Sequence, residues 1–387
     1  MNARLSRRAL LQALGPIGAS LLLAPPRLLA SASPRCLILV ELNGANDGLN
    51  TVVPYADPAY RALRPNLALA REGLLALDAR LALHPQLRRL HRRFQARELA
   101  IVLGLGYPDP NRSHFRSIEI WDSGSDADQT SNEGWLTRLG SAPLRQAGYA
   151  LDGVVIGRNP GPLSGEAFLP VVMEDRQSYL AEALRTDAPQ ALLARNPTLA
   201  HLVRVQSAIE GSADSLAADR PPLKTAFPKG RFGEDLAEAA RLASGRPLAA
   251  VIKVALTGFD THVGQLGRHQ ALLGELDEGL EALCTALRET GAWSHTLVMT
   301  YSEFGRRARE NAARGTDHGT AAPHFVLGGA VRGGLYGEQP RLDRLVDDDL
   351  VHTVDFRRYY NSVLADWFGR PEIQFDPARH RRLDFLA

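Results

Sequence analysis

The sequence predicts an α/β fold, a three-layer α/β/α sandwich around a mainly parallel central sheet. Six apolar, β-rich runs recur along the chain. They are continuous rather than alternating, as strands covered on both faces are. Between the fourth and fifth lies a long amphipathic stretch, so strand, helix and strand follow one another in the order of a parallel crossover. The chain has 387 residues, 45% hydrophobic and 23% charged. That is ordinary globular composition with room for one large buried core.

Residues 1–32 stand apart from that fold. They have a basic start, an apolar middle broken by Gly and Pro, and the A-x-A site Ala30-Ser31-Ala32. Arg7-Arg8 in "SRRALLQ" are close to the twin-arginine export pattern, so the twin-arginine machinery is the expected partner and the periplasm, or another exported location, the expected one. The segment carries four arginines and no acid, and its removal takes the formal charge from +2 to −2. A near-neutral mature chain gives no electrostatic case for nucleic acid. No later segment is apolar and long enough to cross a membrane after cleavage. Cys36 and Cys284 are too few for a disulfide scaffold or a cysteine-based zinc site.

From residue 33 to 387 the chain reads as one domain. Its strands are "CLILVEL" (36–42), "LAIVLG" (99–104), "VVIG" (154–157), "LAAVIKVAL" (248–256), "HTLVMTY" (295–301) and "HFVLGG" (324–329). Leu272, Leu273, Leu276, Leu280, Leu283 and Leu287 form one stripe at helical spacing in the stretch between the fourth and fifth. Residues 175–235, with Ala/Leu/Arg patterns and then a Pro- and Lys-rich loop, read as a helical insertion.

In open α/β sheets chemistry collects beyond the carboxyl ends of the strands. Asp47 follows the first strand in a glycine-rich loop. Arg112, Ser113 and His114 follow the second, and Asp260 and His262 the fourth. Ser302, Glu303 and Arg306 follow the fifth, while Asp317 and His318 precede the sixth. Asp260 and His262 are two residues apart, so on an extended segment both face one side and reach one ion. Carboxylate oxygen with neutral imidazole nitrogen suits Zn, Mn or Fe. Gly315 and Gly319 around Asp317-His318 suit a sharp turn. Ser113 opens a probable helix, where free backbone amides favour an anion; it reads as an N-cap, a nucleophile, or both. His114 is a base or a ligand. Glu303 is a candidate ligand, and Arg306 a candidate clamp for phosphate or sulfate.

These stretches carry a resemblance. "VELNGANDGLNTVVPYADPAYRALRP", "NRSHF", "FDTH", "YSEFGRR" and "GTDHGTAAPHFVLGG" resemble the exported bacterial family catalogued as domain of unknown function 1501. That family resembles in turn the alkaline phosphatase and sulfatase superfamily, which implies an alkaline phosphatase-like sandwich with two divalent metals at its strand ends. The resemblance assigns Asp47 to the first metal-binding Asp, Ser113 to the nucleophile's neighbourhood, Asp260 and His262 to the next metal pair, and His318 to the last metal histidine. Where the superfamily has Asp-His, this chain has Ser302-Glu303. Glu303 is then the candidate for one ligand and Asp317 for the other.

Two functions follow as expectations. One is metal-dependent hydrolysis of a small anionic ester, phosphate or sulfate, with one or two divalent ions (Zn, Mn or Ca) and Ser113, Arg112 and Arg306 at the reacting group. The other is a non-catalytic descendant that binds an anion or a partner.

Overall fold

The protein is described from a computed structural model, which covers residues 34–183 and 211–387. The export segment and the middle of the expected insertion, residues 184–210, lie outside the described residues.

All six expected strands form, and three short ones join them. The strands are β1 (Cys36–Asn43), β2 (Leu99–Gly106), β3 (Val154–Ile156), β4 (Val171–Met173), β5 (Val251–Thr257), β6 (Thr296–Tyr301), β7 (Ala322–Gly328), β8 (Gly334–Tyr336) and β9 (Val354–Asp355). Among the described residues they make one sheet in the order β8-β2-β7-β6-β1-β5-β3-β4, with β9 also on β2. β1 lies between β5 and β6 and is parallel to both. β7 is the exception, antiparallel to β6 and to β2.

The period-two geometry of a strand divides β1 between two cores. Ile38, Val40 and Leu42 pack on one face with the helices α2 (Arg231–Ala243) and α3 (Gln265–Glu289). Leu37 and Leu39 pack on the other with Trp121 of α1 (His114–Ser123) and Tyr359 and Tyr360 of α4 (Phe356–Ser362). Two covered faces are what made the strands read as unbroken apolar runs. In α3 the leucine stripe is the buried face: Leu273, Leu276, Leu280, Leu283 and Leu287 are each fully buried. Burying one such side chain contributes about 1.5–3 kcal/mol, so this stripe alone anchors the helix to the sheet. Cys36 and Cys284 are free thiols inside this core.

The antiparallel β7 has a direct consequence for the strand ends. Parallel strands deliver to the carboxyl edge the residues that follow them. A strand running the other way delivers the residues that precede it. The chain before β7 therefore comes back to the carboxyl end of β6, where Arg306 and His318 form an antiparallel bridge. Asp317-His318 reaches the same edge as Asp260 and Glu303 although it stands before a strand.

Candidate metal centre

Three imidazoles and one carboxylate meet at that edge. His318 Nε2 lies 3.0 Å from His114 Nε2, 2.9 Å from His262 Nε2 and 3.3 Å from Asp260 Oδ1. Asp260 Oδ1 is 3.0 Å from His262 Nε2 and 3.6 Å from His114 Nε2. Ligands about 2.0–2.2 Å from a tetrahedral ion are separated by about 3.3–3.6 Å, so the spacings among His114, Asp260 and His318, 3.0–3.6 Å, are close to those of corners around one ion. His114, Asp260 and His318 form the metal-capable group found among the described residues, and His262 adjoins it.

The local chain explains how each group arrives. Ser113 stands at the N-cap position of α1, which makes His114 its first residue, and Gly124 ends the helix in the left-handed region at φ 74°. Asp260 and His262 sit on the non-helical segment between β5 and α3, two residues apart as expected. The glycines around Asp317-His318 serve close approach rather than a turn. A Cβ on Gly315 would lie 2.2 Å from the His262 carbonyl carbon, and one on Gly319 would lie 2.3 Å from that of Arg306. Only glycine lets three segments of backbone converge there.

Each imidazole is oriented from behind. His318 Nδ1 donates to the Arg112 carbonyl oxygen at 2.8 Å, His114 Nδ1 to Glu303 Oε1 at 2.6 Å, and His262 Nδ1 to Asp317 Oδ1 at 3.3 Å. With Nδ1 protonated, each ring turns the lone pair of Nε2 toward the common point. Hydrogen bonding of the far nitrogen is how metal-binding histidines are held. Three such lone pairs facing one another beside a carboxylate repel unless a cation lies among them. That donor set fits a divalent ion of the Zn or Mn kind.

The charges follow the same geometry. The bond to Glu303 raises the pKa of His114, against its partial burial. Burial lowers that of His318, an effect its bond to the Arg112 carbonyl opposes and the neighbouring cationic groups reinforce. Burial would raise the pKa of Asp260, but the Arg306 guanidinium outweighs it and brings it down to about 2. The carboxylate is therefore ionised across the working range.

The structure gives the remaining expected residues other surroundings. Asp47 is fully buried, 2.6 Å from the equally buried Arg64 Nη1, and accepts from Gln265 Nε2. It is engaged in that pair and in capping Leu49, not in the four-group cluster. Glu303 accepts from Gly44 N, Ser302 Oγ and His114, and so orients the His114 ring rather than joining the cluster. Asp317 does the same for His262, steadied by Asn311 Nδ2 at 3.0 Å. Arg306 is buried, with its donors on backbone carbonyls and Asp260, which leaves none for an external anion. The Arg112 side chain pairs with Asp349. Ser113 is exposed and makes no capping hydrogen bond through its hydroxyl, one residue from His114. His114, which in the sequence suits a base or a ligand, stands inside this cluster, and its place in "NRSHF" after the second strand is the signal the sequence carries for it.

The family model described as "Protein of unknown function (DUF1501)" matches residues 105–364. No curated protein matches the sequence. Among solved structures, a protein of the alkaline phosphatase superfamily from Vibrio parahaemolyticus is similar at 10% identity and a TM-score of 0.36. The match covers 80% of this chain and 63% of that one. The phosphonate monoester hydrolase of Agrobacterium radiobacter is similar at 10% identity and a TM-score of 0.36, over 78% of this chain and 70% of the other. The C-terminal periplasmic domain of EcEptC from Escherichia coli, in complex with Zn, is similar at 9% identity and a TM-score of 0.34, over 78% and 74%.

Proposed function

We infer that this chain, which belongs to the DUF1501 family of proteins of unknown function, is a metal-dependent hydrolase of phosphate or sulfate esters. The observation that carries the reading is the exposure of the centre. The side chains of His318, His114, His262 and Asp260 are 26%, 30%, 39% and 47% exposed. A purely structural zinc site closes its four ligands around the ion, whereas a catalytic one keeps a position open to solvent or substrate. Here the Asp260 and His262 side of the cluster faces water.

A bound ion supplies Lewis acidity toward an ester oxygen. The chain's own residues do the rest. Glu303, Asp317 and the Arg112 carbonyl hold the three imidazoles in the metal-binding tautomer. His114 is the first residue of α1, and the free amides and dipole of a helix start favour an anion there. Ser113, exposed and uncommitted at that same helix start, is the candidate nucleophile. A panel of nitrophenyl phosphate, phosphodiester and sulfate tests the reading on metal-loaded protein. We expect turnover of at least one, lost on chelation and restored by metal; a loaded protein inert to all three supports the anion-binding alternative.

We propose further that the protein acts in the periplasm, exported by the twin-arginine route on the strength of Arg7-Arg8 and the A-x-A site. Arg7→Lys with Arg8→Lys should leave precursor in the cytoplasm. Normal processing of that double variant would remove the twin-arginine route from the proposal.

A further inference from the structure

We propose that the centre holds a single divalent ion, and that the guanidinium of Arg306 permanently occupies the place a second cation would take. This rests on the reading of the His114–Asp260–His262–His318 cluster as a metal centre. Arg306 Nη2 meets Asp260 Oδ1, the Gly44 carbonyl at 2.5 Å and the Phe259 carbonyl at 3.2 Å. Its Nε donates to the Ala45 carbonyl at 2.8 Å and its Nη1 to the Thr316 carbonyl at 3.0 Å. Four backbone oxygens from three separate segments and one carboxylate thus surround the group. An all-oxygen cage with a carboxylate in its wall is what a hard cation takes. Here a cation is covalently built in, 1% exposed.

Its position matters as much as its cage. Arg306 Nη1 is 3.4 Å from His262 Nε2, so the guanidinium adjoins the first ion's ligands directly. Asp260 Oδ1 is shared between the histidine cluster and Arg306. An arginine side chain does not release its proton in proteins, so the charge is permanent. A second divalent ion would have to sit against it. Among the described residues, the three other carboxylates expected at the strand ends are already engaged. Asp47 is neutralised by Arg64, while Glu303 and Asp317 accept hydrogen bonds from the histidines they orient. The departure at Ser302-Glu303 then has a structural counterpart, because the residues that would complete a second site support the first.

Metal stoichiometry tests this without reference to turnover. The processed, exported protein is stripped with chelator and titrated with Zn²⁺ by calorimetry, with elemental analysis of the dialysed product. We expect one ion per chain in a single transition, with and without inorganic phosphate. Two ions of comparable affinity, or a second ion taken up with phosphate, would overturn the proposal. No bound ion would instead remove the metal-centre reading beneath it. Asp47→Asn keeps an acceptor for Arg64 and should retain the one ion at unchanged affinity. If the parent holds two ions and this variant only one, with its melting transition still cooperative, Asp47 belongs to a second site and the single-ion proposal is overturned.

Discussion

His318→Ala should strip the centre of its metal and lower the melting temperature of the loaded protein in the same step. His318 Nε2 lies within 3.3 Å of each of the other three donors, nearer to the set as a whole than any of them. Its removal takes away one coordinate bond, and metal bound to the native state adds directly to folding free energy. In metal-free protein the same change removes the hydrogen bond to the Arg112 carbonyl, worth about 1 kcal/mol. The stability loss should therefore be several times larger with metal than without. Asp317→Asn provides the comparison. It weakens the support behind His262, and losses of that kind reduce metal affinity by about 10–100-fold without abolishing it. Equal metal content and melting temperature in His318→Ala and the parent would reduce the cluster to a chance meeting of side chains.

Arg64→Met should produce the largest stability loss of any single change near the site, with metal content preserved. Arg64 and Asp47 are both fully buried, and Arg64 also donates to Asn50 Oδ1 and to the carbonyls of Ala308 and Arg307. Removing one partner of a buried pair leaves the other charge unpaired, at a cost of about 3–5 kcal/mol. The loss depends on pH in a direction set by Asp47. Burial alone would raise its pKa, and Arg64 is the main influence that brings it below the ordinary value. In the parent, that pair contributes stability above the unfolded carboxyl's pKa, which is lost as pH falls through the lower, folded one. In the variant burial prevails, the folded pKa rises above the unfolded value, and protonation relieves the buried charge. The gap between parent and variant should therefore narrow as pH falls from neutrality toward 5. Urea unfolding at the two pH values measures it. A cost below about 1 kcal/mol, or one that does not change with pH, would mean that the pair is not what holds this loop.

Much of the architecture was legible because its causes are local. A strand covered on both faces must be apolar at every position, and β1, β2, β5 and β6 each are over most of their length. A helix lying on a sheet must carry a stripe, and the leucines of α3 do. The short strands β4, β8 and β9 leave no mark in the sequence, since two or three residues contain no period to detect. The pairing of Asp260 with His262 was also local, because two residues apart on an extended chain means one side.

The division of labour among the polar residues was decided elsewhere. Asp47, Glu303 and Asp317 are the same kind of residue at the same kind of place, a carboxylate near a strand end. Asp47 is held by an arginine, Glu303 by a histidine 189 positions away, and Asp317 by a histidine 55 positions away. Arg306, which as a sequence feature suits an anion clamp, finds carbonyls from residues 44, 45, 259 and 316 around it and becomes part of the interior. The reversal of β7 is equally invisible in its own apolar run, yet it brings His318 to the centre. Local periodicity records how much of an element is buried and on which side. Which charge a carboxylate meets depends on distances across the fold, where a few ångströms at low dielectric separate a metal ligand from a buried ion pair.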